Sequence, residues 1–160
     1  MNVKIYTDGA ARGNPDGPGG FGAVLEYVDG KGQLHTKEIS RGYIKTTNNR
    51  MELMAAIYGL EMLNRPCNVI LYSDSKYVTD AFNEDWISDW LKKDWNKHKS
   101  KPIKNIDLWQ RLLRAKSAHN VEFVWVKGHS GHPQNERCDY LATTAADSDE
   151  LYEDIVGEIL

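Results

Sequence analysis

The thirteen residues 127–139, KGHSGHPQNERCD, combine two histidines, a cysteine and two carboxylates in one polar stretch. Such a set could be a zinc site, a catalytic centre of another kind, or a polar loop that leads into a helix. Zinc would need a fourth soft ligand at a suitable spacing, which the stretch lacks. We therefore expect Cys138 to be a small core residue and His132 to be a solvent-facing loop residue. His129 and Asp139 remain as the candidates for chemistry.

Three other acids stand at or near the ends of predicted elements. Asp8 and Asp74 each end an apolar strand, and Glu52 lies in the first turn of an amphipathic helix. Singly, an acid at a strand end is usually a turn former or a helix cap. Together, such carboxylates meet at the carboxyl edge of a mixed sheet, and they repel one another unless a cation joins them. Hard oxygen ligands indicate Mg²⁺ or Mn²⁺, and two such ions about 3.5–4 Å apart suit in-line phosphodiester displacement.

The hydrophobic pattern predicts the elements that must position these residues. Strands are expected at residues 3–8, 21–28, 34–43, 68–74 and 121–126. Helices are expected at 48–63, from about Ser75, at 105–118 and at 135–146. The order βββαβααβα predicts an α/β fold of the α+β mixed-sheet kind, with five strands. An antiparallel meander would be followed by strands joined through helical crossovers, with helices on both faces.

The segment GPGGFG at 17–22 matches G-x-G-x-x-G, the dinucleotide-binding fingerprint. That interpretation needs a helix to open at the last glycines, so that its N-terminus can hold a pyrophosphate. The residues that follow, 23–28, have a strand pattern instead. We therefore interpret the glycines as a tight turn that permits close backbone approach to a ligand or a neighbouring strand.

Composition and charge bound the class of protein. The 160 residues, 41% hydrophobic and 27% charged, suit one globular domain with a single core. Two cysteines form no disulfide framework, and neither a signal-peptide core nor a membrane-length apolar run is present, so we expect a soluble, cytoplasmic protein. Six of the 23 acids lie in residues 147–160, which contain no Lys or Arg. The rest of the chain is therefore slightly basic, and a polyanionic partner is compatible with the net charge of −3.

Four ordered motifs surround the acids. They are TDGAARGNP at 7–15, TTNNRMEL at 46–53, YSDS at 72–75, and WVKGHSG at 125–131 followed by NERCD at 135–139. The set resembles type 1 ribonuclease H, the bacterial ribonuclease HI-like family, over about residues 2–146. The resemblance implies a ribonuclease H-like fold with a catalytic domain at 1–146, which includes a basic protrusion at about 86–104. An acidic C-terminal tail would occupy 147–160.

The resemblance also implies an activity. Enzymes of this family are endoribonucleases that hydrolyse the RNA strand of RNA–DNA hybrids by two-metal-ion catalysis, which gives 5′-phosphate and 3′-hydroxyl ends. Carried over by position, the catalytic acids and metal ligands would be Asp8, Glu52, Asp74 and Asp139. They would hold two Mg²⁺ ions, for which Mn²⁺ could substitute, and His129 would be the family's mobile catalytic histidine. The partner would be a hybrid duplex, with no membrane, and the protein would be a monomer.

Small and amide side chains beside the acids suit the reading of 2′-hydroxyl groups, which distinguish RNA from DNA. The candidates for substrate contacts near the acids are Gly9, Ala10, Asn14, Thr47, Asn48, Asn49 and Ser75. The resemblance places the asparagines at the nucleic-acid surface and Thr47 near a DNA phosphate. Helix capping is the structural alternative for Asn48 and Asn49, and one asparagine can do both.

The segment 86–104 is the second substrate-binding candidate. Between Lys92 and Lys104 it contains six lysines against one acid, interleaved with tryptophans. A lysine run is often only a solvated face, but aromatic side chains plus cations form a common nucleic-acid surface. The contacts expected here are Trp86, Trp90, Lys92, Lys93, Lys97, Lys99 and Lys101. The tryptophan spacing also suits one buried helical stripe, so we expect the tryptophan bodies to pack the protrusion while the lysines face phosphate.

Two other classes of protein compete with this interpretation. A non-catalytic hybrid- or DNA-binding module would need a lost carboxylate, and none is missing. An integrase- or resolvase-type nuclease shares such a sheet and metal chemistry, but lacks the TNNRME and GHSG motifs together with the basic protrusion. The tail has apolar residues at helical spacing, and the sequence leaves open whether it docks on the body, binds a partner protein or frays.

Overall fold

The computed structural model describes residues 1–13, 16–96, 103–128 and 131–157. The strands are β1 (Asn2–Ala11), β2 (Gly17–Val28), β3 (Leu34–Thr46), β4 (Asn68–Ser73), β5 (Asn120–Trp125) and β6 (Leu151–Tyr152). The helices are α1 (Asn48–Glu61), α2 (Lys76–Asn83), α3 (Trp86–Lys92), α4 (Ile106–Ser117) and α5 (Pro133–Ala146), with a short 3₁₀ helix at Asp94–Asn96. The predicted site residues Asn14, Lys97, Lys99, Lys101 and His129 lie outside the described residues.

The strands form one mixed sheet in the order β5-β4-β1-β2-β3-β6. β1, β2 and β3 make an antiparallel meander. β4 pairs in parallel with β1, and β5 pairs in parallel with β4, because helices cross between these strands. The predicted mixed α/β class is confirmed. The predicted count of five strands is one short, because the acidic tail adds β6 beside Gly42 and Tyr43 of β3. A strand of two residues is too short to show an alternating pattern, so the sequence could not reveal it.

Helix α1 lies against the centre of the sheet and is buried on most of its sides. Its residues Met51, Leu53 and Ile57 belong to the same buried cluster as Ile5 of β1 and Leu71 of β4. Since helix α4 covers its outer side, α1 contributes apolar residues in several directions rather than along one stripe. The first turn of α1 is thereby fixed at the edge of the sheet where β1 and β4 end.

The glycines of β2 seat helix α5 on the opposite face of the sheet. A Cβ atom at Gly20 would lie 2.4 Å from the Ala142 carbonyl oxygen, and one at Gly22 would lie 2.7 Å from the Cys138 carbonyl oxygen. These residues alternate with buried Phe21, so they face α5 while Phe21 faces the α1 side. The predicted tight turn at 17–22 is therefore wrong, because the strand already begins at Gly17. The close backbone approach does occur, but it is made by a helix.

The segment after Ser75 forms two helices instead of one. Asp85 has a φ of 53°, which ends α2 and starts α3 in a new direction. Helix α3 ends at Lys92, and Trp95 reaches the interior through a left-handed turn, with a φ of 59°. Trp90 packs against Trp109 of α4, with ring centroids 5.2 Å apart. The tryptophans are thus packed together, but not as a single stripe on one helix.

Within the described ranges, no helix is both long enough and apolar enough to cross a membrane.

Candidate active site

Three of the predicted acids converge at the carboxyl edge of the sheet. β1 and β4 are parallel neighbours, and Thr7 is paired with Ser73, so the next residues, Asp8 and Asp74, follow side by side. Glu52 enters from the first turns of α1. One carboxylate oxygen from each of the three acids lies within 4.8 Å of the other two. Within the described residues, this is the set of His, Cys, Asp and Glu side chains close enough to share one metal ion.

Glu52 reaches the cluster because residue 9 has no side chain. The Gly9 backbone N–H donates to Glu52 Oε1 at 2.5 Å and to Asp8 Oδ1 at 2.9 Å. A Cβ atom at Gly9 would lie 2.5 Å from the Glu52 nitrogen. Ser73 Oγ adds a longer hydrogen bond of 3.5 Å to Glu52 Oε2. The approach of α1 to β1 therefore depends on a glycine directly after the first acid.

The electrostatics of the cluster favour a bound cation. Burial first, and then the negative charges of Asp74 and Asp139, raise the pKa of Asp8 to about 7. Burial and the charges of Asp8 and Asp74 raise the pKa of Glu52 well above its usual value. Several carboxylates that resist ionisation beside one another are what a divalent cation stabilises. The donors are all hard oxygen atoms, so the cluster fits Mg²⁺ or Mn²⁺ better than zinc.

Asp139 faces the cluster from α5. It lines one small pocket together with Thr7, Asp8, Asp74 and Asn135. It is half-buried, and its negative charge helps to raise the pKa of Asp8. Asn135 Oδ1, one helical turn earlier, is buried and has no hydrogen-bond partner among the described residues. The pocket thus contains a fourth carboxylate and an unsatisfied oxygen, both suited to a cation or to a water molecule bound to one.

Of the two residues that we set aside as non-catalytic, Cys138 lies where expected and His132 does so only in part. Cys138 is fully buried, and its Sγ donates to the Tyr6 carbonyl oxygen at 3.2 Å. His132 is exposed at the N-terminal end of α5, but it also lines the pocket that contains Asp8, Asp74 and Asp139. Gly128 lies beside Asp74, where an added Cβ atom would stand 2.9 Å from Asp74 Oδ2. Gly128, the residue before His129 in the sequence, therefore lies directly against a cluster carboxylate.

The candidate substrate contacts on α1 and α2 differ in their structural roles. Thr47 is the N-cap of α1 and accepts a hydrogen bond from the Arg50 backbone N–H at 3.2 Å. Asn48 and Asn49 follow it and are exposed, so neither occupies the capping position that we considered for them. Ser75 is the N-cap of α2 and accepts from Val78. Ala10 of β1 is half-buried, two residues after Asp8.

Comparison with known proteins settles the family. The profile of the RNase H family matches residues 1–147. The chain belongs to the RNase H family. A ribonuclease H from Lachnoclostridium phytofermentans is 66% identical over 158 residues, which cover 99% of this chain and 100% of that protein. The resemblance to type 1, ribonuclease HI-like proteins is confirmed, and as a member of this family the chain is a hydrolase of the nuclease class.

Solved structures agree with this assignment. The crystal structure of LC9-RNase H1, described as a type 1 RNase H with the type 2 active-site motif, has a TM-score of 0.83. It is 37% identical, over 91% of this chain and 72% of that one. LC11-RNase H1 in complex with RNA/DNA hybrid has a TM-score of 0.63 at 27% identity, over 91% of this chain and 96% of that one. The ribonuclease H-like fold expected from the sequence is therefore confirmed.

The described part of segment 86–104 carries both aromatic and basic side chains. Trp86 is 39% exposed, and its ring centroid lies 6.4 Å from that of the half-buried Trp90. Lys92 and Lys93 are exposed, and Lys93 makes a salt bridge of 3.2 Å with Asp89. Trp90 is thus half-buried in this segment, whereas Trp86, Lys92 and Lys93 are exposed.

The sequence interpretation missed one residue that supports an acid directly. Trp125, the last residue of β5, donates its indole N–H to the Asp74 backbone carbonyl at 3.1 Å. The Lys76 ammonium lies 4.7 Å from the centroid of the same ring. Trp125 begins one of the sequence motifs, but its type fits an ordinary edge-strand residue, so only the three-dimensional contact reveals its link to Asp74.

Proposed function

We propose that this RNase H is an endoribonuclease that hydrolyses the RNA strand of RNA–DNA hybrids and leaves 5′-phosphate and 3′-hydroxyl ends. The observation that carries the proposal is the convergence of Asp8, Glu52 and Asp74, with Asp139 across the same pocket. The solved complex of LC11-RNase H1 with an RNA/DNA hybrid supports the choice of substrate.

The four acids would hold Mg²⁺, two ions per site during catalysis, and Mn²⁺ would substitute. Bound there, the ions supply a water of lowered pKa and neutralise charge that develops on the phosphate. Asp8 would lie centrally, since it shares one pocket with both Asp74 and Asp139. Asp139 would serve the side of the attacking water, while Glu52 and Asp74 would serve the leaving-group side.

His129 would assist proton movement or product release. It lies outside the described residues, between Gly128 and the left-handed Gly131, whose φ is 86°. We expect His129→Ala to slow cleavage without abolishing it, because proton transfer contributes about 10²–10⁴-fold and water substitutes in part.

Substrate recognition would combine amides near the acids with cations on the protrusion. Asn48 and Asn49 are exposed within a few residues of Glu52, where they would meet 2′-hydroxyls in the minor groove. The other proposed contacts near the acids are Gly9, Ala10, Asn14, Thr47 and Ser75. On the protrusion, Trp86, Trp90, Lys92, Lys93, Lys97, Lys99 and Lys101 would grip the DNA strand, and their removal would flatten the salt dependence of hybrid binding.

The domain boundaries, the oligomeric state and the location of the enzyme in the cell are also proposals. Residues 1–146 would form the catalytic domain, 147–160 the acidic tail, and the enzyme would act as a monomer. We propose a cytoplasmic location, which is supported by two buried cysteines that remain free thiols.

One gel tests the proposed substrate. Labelled RNA–DNA hybrid, duplex DNA, duplex RNA and single strands are incubated with the protein in Mg²⁺ or in EDTA. We expect cleavage of the RNA strand in the hybrid alone, and only with Mg²⁺. Binding of the hybrid without any product in Mg²⁺ would instead support a non-catalytic binding module.

A further inference from the structure

The acidic tail is anchored to the body by one buried carboxylate. Strand β6 pairs with the edge of β3, which brings Asp154 beside the end of β3 and the start of α1. The Asp154 side chain is 2% exposed. Its Oδ2 accepts from Thr46 Oγ1 at 2.6 Å and from Arg50 Nε at 2.8 Å, and its Oδ1 accepts from Arg50 Nη2 at 3.0 Å.

These contacts lie on both sides of the junction between β3 and α1. Thr46 is the last residue of β3, and Arg50 is in the first turn of α1. Between them stand Thr47, Asn48 and Asn49, the residues that we propose as contacts to the hybrid. One carboxylate from the tail therefore contacts the residues on both sides of this junction, while Asn48 and Asn49 stay exposed.

Arg50 has a second carboxylate partner, and this contact allows the effect of the buried ion pairs on stability to be separated from the effect of Asp154 on substrate binding. Its Nη1 and Nη2 donate to Asp107 of α4 at 3.0 Å and 2.8 Å. The Arg50 side chain is 6% exposed, so losing either acid leaves a buried guanidinium short of a partner and destabilises the fold. Among the described contacts, however, the Thr46 hydroxyl bonds to Asp154 and not to Asp107.

We infer that Asp154 is a positioning residue for substrate binding, which holds the start of α1, residues 47–49, in the position that meets the hybrid. The inference rests on the proposed function. A binding segment held in place before the ligand arrives loses little conformational entropy on binding, so removing the Asp154 contacts to Thr46 and Arg50 weakens binding. Glu52 follows on the same helix, but the Gly9 backbone N–H holds its carboxylate independently of the tail. Loss of Asp154 therefore raises KM and leaves kcat nearly unchanged.

Matched variants separate this role from stability. Asp154→Ala removes the contacts to both Thr46 and Arg50, and Thr46→Val removes the Thr46 contact alone. Asp107→Asn weakens the hydrogen bonds of Arg50 and leaves the contact between Thr46 and Asp154 intact. Cleavage kinetics on a labelled hybrid are measured in Mg²⁺, at a temperature well below the Tm of every variant. We expect KM to rise about tenfold in Asp154→Ala and a few-fold in Thr46→Val, with kcat within about twofold of wild type. Asp107→Asn lowers Tm, but its KM stays at the wild-type value.

Hybrid binding provides an independent readout. The Kd for a labelled hybrid, measured by fluorescence anisotropy in Ca²⁺, should rise in Asp154→Ala as KM does and recover in part in Asp154→Asn, which keeps an acceptor for Thr46. A wild-type Kd and KM in folded Asp154→Ala, or an equal rise in Asp107→Asn, overturns the inference. If the wild-type protein binds the hybrid without cutting it, only the proposed function is overturned. The ratio of the Kd of Asp154→Ala to the Kd of wild type still tests the role of Asp154.

Discussion

The Gly9 backbone N–H donates to the Glu52 carboxylate at 2.5 Å, and the space that a Gly9 side chain would need is filled by the Glu52 backbone. One residue thus fixes an acid on a helix against an acid on a strand. The N–H donor also partly satisfies two carboxylates, Asp8 and Glu52, that burial would otherwise make costly.

Gly9→Ala should therefore damage both the fold and the site. The new Cβ atom would lie 2.5 Å from the Glu52 nitrogen and 2.6 Å from the Met51 carbonyl carbon, so α1 must move away from β1. We expect a loss of about 1–3 kcal/mol in the free energy of unfolding and a fall in kcat of at least about 100-fold. Urea unfolding and steady-state cleavage measure the two effects. As a control, Gly30→Ala, where an added Cβ meets nothing within 4 Å, should change neither.

Trp125 should affect metal binding through Asp74. Trp125→Phe keeps an aromatic ring but loses the hydrogen bond of 3.1 Å to the Asp74 carbonyl, so the Asp74 carboxylate is held less firmly. We expect a several-fold increase in the Mg²⁺ concentration needed for half-maximal cleavage, and a matching loss of Mn²⁺ affinity in calorimetry. Tyr27→Phe, at the far end of β2, serves as the aromatic control. An unchanged Mn²⁺ affinity in Trp125→Phe would show that the indole does not support the site.

Removing the Asp8 charge should stabilise the metal-free protein. Burial and neighbouring charges raise the pKa of Asp8 to about 7, so its ionised form disfavours folding at neutral pH and above. This unfavourable contribution is absent below the unfolded pKa and grows as pH rises toward about 7. In EDTA at pH 8, Asp8→Asn should therefore raise Tm by a few degrees, since roughly 2–4 °C corresponds to 1 kcal/mol at this size. The Tm gain that wild type obtains from Mg²⁺ should shrink in the variant. A variant with a lower Tm in EDTA and an unchanged response to Mg²⁺ contradicts this account.

Asp107 should contribute stability with the opposite pH dependence. Burial opposes ionisation of Asp107, but the hydrogen bonds from Arg50 outweigh it and hold the pKa below the usual value. Its contribution is therefore complete above the unfolded pKa, near 3.8, and is lost as pH falls through the lowered folded pKa. Asp107→Asn should reduce the free energy of unfolding by about 1–3 kcal/mol at both pH 7 and pH 5, and by less at pH 3. Urea titrations at the three pH values measure this, with exposed Asp149→Asn as the control.

The acid cluster was predictable because strand order alone determines much of it. Asp8 and Asp74 end adjacent parallel strands, so a prediction of the sheet already placed them at one edge. The position of Glu52 followed from the helical spacing of α1. The resemblance to type 1 ribonuclease H added Asp139, which α5 places across the same pocket.

Features that depend on contacts between distant segments were not predictable. The glycines of β2 have the same pattern whether they form a turn or seat a helix, and only the position of α5 distinguishes the two. The helix after Ser75 breaks at Asp85 because that residue adopts a left-handed conformation, which its type permits but does not require. Asp154 is one acid among six in the tail, and nothing in its sequence context indicates that it is buried against Arg50.

The central claim is that the acid cluster performs metal-dependent hydrolysis of RNA in a hybrid. The most direct measurement is the cleavage rate of one labelled hybrid at millimolar Mg²⁺ by wild type, Asp8→Asn and Glu122→Gln, an exposed carboxylate of β5. The account predicts RNA fragments with 5′-phosphate ends from wild type and Glu122→Gln at similar rates, and a rate at least about 10³-fold lower from Asp8→Asn. Retained cleavage by Asp8→Asn would contradict it.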